Sequence, residues 1–163
     1  MKPATHPTAL RIQQRLSEAG LGGQVVEFEV PTRTSAEAAA AIGCQVAEIA
    51  KSVVLRGCDS GRAVVVVARG DSRVCERKVG ALLGEAVGRA DARFVRAATG
   101  FVIGGVAPFG YPNAVHVLMD EGLRFFGRVW AAAGTPNAVF PLSPAELQRL
   151  TGADWSDVRL DPD

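Results

Sequence analysis

Residues 63–68, Ala-Val-Val-Val-Val-Ala, restrict the possible folds of this chain more than any other stretch. Side chains along a β-strand alternate between the two faces of a sheet, so a strand that is apolar at every position has no face to give to water. The run predicts a strand over 62–69 that is covered on both sides, as in a barrel or a sheet packed between layers. A second β-branched run, Lys-Ser-Val-Val-Leu at 51–55, predicts a strand over 50–56. Between them Gly57, Cys58, Asp59, Ser60 and Gly61 have turn chemistry, so the two strands should form an antiparallel hairpin. The apolar run is far short of the ~20 residues that span a bilayer. The N-terminal segment is polar and periodic and lacks a signal-peptide core. A cytoplasmic chain with no membrane attachment is the expectation.

Helical periodicity surrounds the hairpin. Pro7 opens a helix in which Ala9, Ile12, Leu16 and Ala19 share a face, ended by Gly20, Gly22 and Gly23. Residues 24–30 read as a strand closed by Pro31. Thr34 and Glu37 predict a capping box ahead of an alanine-rich helix that stops at Gly43. Asp71 or Ser72 is the expected cap of a helix burying Cys75, Val79, Leu82 and Leu83 and ending at Gly84, and Asp91 caps another through Ala98. Residues 99–112 are rich in glycine and proline and read as a structured loop. Strands follow over 114–119 and 124–132, with Asp120, Glu121 and Gly122 as their turn, and a short one over 139–142. Ser143 and Glu146, with Pro144 at the first helical position, open a last helix to Leu150.

With 163 residues, 48% of them hydrophobic and 21% charged, the chain suits one α/β domain with its own core. The predicted architecture is a mixed, mostly antiparallel, barrel-like β-sheet surrounded by helices. Residues 1–153 form the domain and 154–163 an acidic tail, with Trp155 and Val158 as its docking points.

The chemistry-bearing residues are few. A net charge of +1 excludes a polycation. Cys44, Cys58 and Cys75 are odd in number and never in a C-x-x-C pair, and His6 and His116 are the only histidines, so neither a disulfide framework nor a metal site is expected. A cysteine nucleophile would need a histidine partner, and none lies near any of the three. The hydrolase elbow, the phosphate loop and the zinc-helix motif are all missing. Lys51 is the unusual residue. Beside so apolar a run, it is either an edge residue reaching for water or a cation aimed into a cleft.

In order along the chain, E-I-A-K-S-V-V-L (48–55), T-G-F-V-I-G-G-V-A-P-F-G (99–110), D-E-G-L (120–123) and A-A-G-T-P-N-A-V-F-P-L-S-P-A-E-L (132–147) resemble the YbaK/EbsC family. This family is related to the inserted editing domain of bacterial prolyl-tRNA synthetase, and the resemblance runs from about Thr5 to Ala153. It implies a trans-editing hydrolase that cleaves the ester of a mischarged aminoacyl-tRNA, with a Cys, Ala, Ser or Thr type of error on tRNA(Pro). Prolyl-tRNA synthetase is a further candidate partner, and no cofactor or metal is implied.

Lys51 matches the family's central lysine. Gly100, Gly104, Gly105 and Pro108 match its glycine-rich loop beside the amino-acid pocket, Asp120 an acidic position and Gly134 the late glycine element. In such a site Lys51 would grip the terminal phosphate or ribose, and the amides of Gly104 and Gly105 would face the ester carbonyl while water attacks. His116 is a candidate pocket-polar group or general base, or else a satisfied strand histidine. Asp120 either orients substrate or forms its turn, and Ser52 is turned away from Lys51 by strand alternation. Phe101, Phe109 and Tyr111 either stack on the terminal adenine or pack the core. The basic residues between Arg69 and Arg96 form either a solvated face or a weak phosphate-binding face for the acceptor stem. The alternative reading of the whole is a non-catalytic binding module for a nucleotide or a charged tRNA 3′ end.

Overall fold

The structure is a computed structural model and describes residues 1–162. Its strands are β1 (Lys2–Pro3), β2 (Val26–Glu27), β3 (Ile49–Gly57), β4 (Ala63–Arg69), β5 (Val87–Arg89), β6 (His116–Asp120), β7 (Val129–Ala132), β8 (Ala138–Leu142) and β9 (Trp155–Ser156). Its helices are α1 (Pro7–Glu18), α2 (Ser35–Ile42), α3 (Glu76–Leu83), α4 (Ala92–Thr99) and α5 (Pro144–Thr151). None of these helices is long and apolar enough to cross a membrane.

One mixed sheet runs β1-β2-β8-β7-β3-β4-β6-β9, with β5 added to β3. The hairpin is as expected: β3 and β4 pair antiparallel from Ala50↔Arg69 to Arg56↔Ala63. Val64, Val65, Val66 and Val67 are wholly buried because both faces of β4 are covered. Val65 and Val67 join Ile12 and Leu16 of α1, Phe140 of β8 and Leu147 of α5 in the main core. Val64, Val66 and Ala68 meet Val79 and Leu83 of α3 on the other side. Each buried valine contributes roughly 1.5–3 kcal/mol relative to exposure. A third cluster packs Ala38 and Ala39 of α2 on Ile49, Trp130 and Val139.

Several local expectations are corrected. Residues 24–30 are strand only at Val26 and Glu27, because the Val25 amide goes to the Gln13 side chain and the Phe28 amide to the Asn137 carbonyl. Thr34 caps α2 through the Glu37 amide, but the Glu37 carboxylate reaches back to the Arg33 amide rather than to that of Thr34. The N-cap of α3 is Cys75, not Asp71 or Ser72, because residues 73–75 are held extended against the C-terminal segment by a Val74↔Arg159 bridge and a Cys75 amide bond to Val158. Leu82 is exposed, while Cys75, Val79 and Leu83 are buried as expected. The stretch 124–132 becomes strand only at Val129, since Glu121–Phe125 winds into a 3-10 turn capped by Asp120.

The acidic C-terminal segment is held firmly to the sheet. β9 pairs in parallel with β6, Val158 is wholly buried, and Lys78 bonds both Asp157 and Asp161. At the other end, the Glu27 carboxylate takes hydrogen bonds from the amides of Thr5 and His6 and from the Thr5 hydroxyl, which fixes the entry to α1.

Candidate active site

The site begins with a gap in strand pairing. β3 and β7 run parallel but pair only at Ile49↔Trp130 and Ala50↔Ala131, and β5 takes up the same edge of β3 from Leu55 onward. Between these contacts, residues 51–54 have no strand neighbour on that edge. Across the other edge, the Ile49 carbonyl and the Gly57 amide bond to Gly70 and Arg62. Main-chain groups alternate in direction along a strand, so the peptide groups of Ser52 and Val54 point into the gap.

The gap opens into a cavity of about 530 Å³. Ala50, Ala132 and Ala138 give part of it a small apolar lining, Lys51 and Ser52 stand on β3, and residues 32–36 bring the first turn of α2 to its rim. The Gly104 loop and Thr135 with Pro136 complete it. These walls are locked together. The Pro136 carbonyl accepts from the Thr32 amide and hydroxyl, and Asn137 bonds Phe28 through both its side-chain amide and its main-chain carbonyl.

Lys51 is half-buried rather than a residue reaching straight for water. Its ammonium donates to the carbonyls of Ser72 and Gly70. Burial pushes its pKa below the ordinary value, and nearby Arg73 adds to that, against the opposing pull of Asp71 and Asp120. The cation is thus partly desolvated and held by neutral acceptors, which leaves its charge available to a ligand.

The two adjacent glycines do different work. Gly104 has φ +89° and lines the cavity, and its amide has no intramolecular partner among the described residues. Gly105 is buried, and its amide donates to the Val102 carbonyl at 3.0 Å, so it is not free to face an ester as expected. Glycine is required at 105 by contact: a Cβ there would sit 2.6 Å from the Thr135 carbonyl carbon. Of the two amides, only that of Gly104 is without an intramolecular partner among the described residues.

The other expected residues lie outside the cavity lining. Gly100 is the left-handed C-cap of α4, and Pro108 is buried in the loop behind Gly104. Gly134 packs so tightly that a Cβ would reach 2.5 Å from Thr8 and 3.1 Å from the Phe101 ring. Asp120 is 2% exposed, and its oxygens accept from the amides of Arg69 (3.0 Å) and Gly122 (2.9 Å), which is the turn role. His116 is exposed and lines a separate depression with Leu82 and residues 151–154. Phe101 packs edge-on against Tyr111, and Phe109 against Phe140, so these rings belong to the core.

Ser52 is the residue that strand alternation hid. Its hydroxyl and the Trp130 indole N–H are the two buried side-chain polar atoms without a partner among the described residues, and both residues line this cavity. Alternation assigns Ser52 and Lys51 to opposite faces, but a cavity entered at a strand's bare edge is open to both.

No Asp, Glu, His or Cys lines the cavity. None of the three cysteines is a candidate nucleophile there, and among the described residues no cluster of His, Cys, Asp and Glu is arranged to hold a metal ion. The arrangement supplies the Lys51 cation, a second cationic residue in Arg33, a free amide and two unpartnered donors, which suits an already activated carbonyl held in place rather than proton abstraction by a side chain.

The likeness to known proteins follows this geometry. Residues 29–150 match the family described as aminoacyl-tRNA editing domain. A Bacillus subtilis relative, the uncharacterised protein YwhH, is 34% identical over 138 residues, covering 84% of this chain and 87% of that one. A crystal structure described as that of a candidate trans-editing enzyme for prolyl tRNA synthetase superposes with a TM-score of 0.90 at 40% identity, covering 97% of this chain and all of the other. The crystal structure of the hypothetical protein APE2540 gives 0.85 at 33% identity, covering 92% and 99%. The chain belongs to the aminoacyl-tRNA editing domain family, the group of YbaK and the prolyl-tRNA synthetase editing domain. Family and fold support a deacylase role in trans.

Proposed function

We propose that this protein hydrolyses the ester of a small amino acid wrongly attached to tRNA(Pro), acting in the cytoplasm apart from the synthetase that made the error. The observation that carries the reading is the pairing of the Lys51 cation with the unpartnered Gly104 amide on one cavity that has no side-chain acid, base or thiol. An aminoacyl ester is activated enough for water to attack once it is correctly placed.

In this scheme Lys51 binds the terminal ribose or phosphate oxygens by charge-assisted hydrogen bonds. Water adds to the ester carbonyl carbon, and the oxygen that becomes negative accepts from the Gly104 N–H. The bond to the ribose oxygen then breaks, and that oxygen takes up the proton released by the attacking water, relayed through the neighbouring 2′-hydroxyl. Free amino acid and intact tRNA leave. The alanine lining suits a side chain of the Ala, Ser, Cys or Thr size, and Ser52 and Trp130 provide donors for a polar one.

Deacylation of Ala-, Cys-, Ser-, Thr- and Pro-charged tRNA(Pro) by wild type and Lys51→Ala tests this. Turnover of at least one small ester, lost in the variant, is expected. Hydrolysis that survives Lys51→Ala would refute the mechanism. Tight binding of charged tRNA without turnover would favour the binding-module reading, to which the lack of a side-chain base also lends support.

A further inference from the structure

The cavity does not end at Lys51. Lys51 and Val53 also line a second, shallower depression of about 340 Å³ that continues along β3 to Leu55 and is flanked by Arg73, Glu76 and Arg89. Arg89 is opposite Leu55 in the β3–β5 pairing. Four residues of strand separate Lys51 from that point, or ~13 Å at ~3.3 Å per residue. That is longer than a single phosphate group needs.

Several basic groups near this groove are already engaged. Arg69 is paired with Asp71, Lys78 with Asp157 and Asp161, and Arg62 with Glu85, while Arg56 lies over the Phe94 ring. Arg73 and Arg89 are exposed and have neither an ion pair nor an aromatic partner among the described residues. With Lys51 they set three cations against the single carboxylate of Glu76. Arg73 is near enough to Lys51 for its charge to be felt there.

We propose that the groove of Lys51, Arg73 and Arg89 is a track for the phosphodiester backbone of the nucleotides just 5′ of the esterified one, laying a single-stranded RNA 3′ end along β3. The assignment rests on the deacylase reading and adds to it the path of the nucleic acid. Guanidinium groups suit it, since their planar donors match phosphate oxygens. The contacts are to backbone and not to bases, so they position the RNA without reading its sequence. Glu76 opposes the strand and tempers the affinity.

The test uses the intact protein and an uncharged acceptor-stem hairpin with a single-stranded 3′ end, followed by fluorescence anisotropy across a salt series. A blunt hairpin is the comparison, and thermal melting verifies that each variant is folded. Arg73→Ala with Arg89→Ala is expected to weaken binding of the overhang hairpin about tenfold or more and to reduce the slope of log affinity against log salt by one to two. Glu76→Gln is expected to tighten binding, and Arg149→Ala, on α5 outside the groove, to leave it unchanged. An unaltered affinity and slope in the double variant overturns the track, as does an equal loss on the blunt hairpin. Full displacement of the hairpin by inorganic phosphate at comparable concentration also overturns it, since that marks a site for one phosphate. RNA binding is read without turnover. Failure of the deacylase reading would show as no ester hydrolysed by wild type, and failure of the track as normal RNA binding by a double variant whose wild-type parent hydrolyses esters.

Discussion

The Gly105 amide is bound to the Val102 carbonyl at 3.0 Å, and this one contact divides the labour between two adjacent glycines. It closes a tight turn that leaves the Gly104 amide without a partner among the described residues and seats Gly105 against the Thr135 backbone.

Alanine at each position should therefore fail differently. Gly105→Ala forces apart two loops that meet through backbone, so it should lower both stability and activity. Gly104→Ala meets open space, the nearest atom being a Pro136 carbon at 4.0 Å, and is penalised by its positive φ, by about 1–2 kcal/mol. Urea unfolding should rank Gly105→Ala as the less stable of the two. Deacylation normalised to folded protein should fall in both, and wild-type stability for Gly105→Ala would contradict the close approach.

Lys51 should impose an alkaline limit on activity. Its pKa is depressed by burial, so the cation is lost as pH rises through a value below the ordinary 10.5. The rate above the spontaneous hydrolysis of the ester should decline there, and any activity retained by Lys51→Arg should lack that decline. The linkage has a second consequence. Between the folded pKa and 10.5 the unfolded chain binds more protons, so stability rises with pH across that window. Lys51→Met should remove this rise in urea titrations.

Glu27 should matter at the acid end. Burial pushes its carboxyl up, but the hydrogen bonds from Thr5 and His6 outweigh this and leave its pKa below the ordinary 4.5. Its contribution is then present above pH 4.5 and lost as pH falls through the folded pKa. Glu27→Gln should cost about 1.5–3 kcal/mol at neutral pH. The gap between wild type and variant should close in acid, and a gap independent of pH would show that the charge is immaterial.

Asp120 and His116 provide a contrast. Asp120→Ala strands the amides of Arg69 and Gly122 inside the protein and should cost about 1–3 kcal/mol. His116→Ala, in an exposed position away from the cavity, should leave both melting temperature and kcat/KM close to wild type. A large loss of kcat in His116→Ala would place that imidazole in the reaction.

Most of the scaffold could be read directly because its signals are local. The valine run required cover on both faces, and the Asp91, Thr34 and Ser143 caps and the Gly43 and Gly84 stops each act within one turn of chain. The misreadings are cases where a distant partner decides. Cys75 caps α3 because Val158 and Arg159 hold the preceding residues extended, and β5 is a strand because β3 offers it an edge. The motif points to Lys51 and Gly104. Ser52 escapes it because periodicity describes a strand's faces and is silent about a missing neighbour at its edge.

Three alanines border the cavity, Ala132 on one face of the sheet and Ala50 and Ala138 on the other. Apart from glycine, every amino acid is bulkier than alanine, so almost any point mutation at these positions crowds the space they border. Whatever the natural ligand, a lineage can tighten this sieve in a single genetic step. Widening it there requires strands to shift.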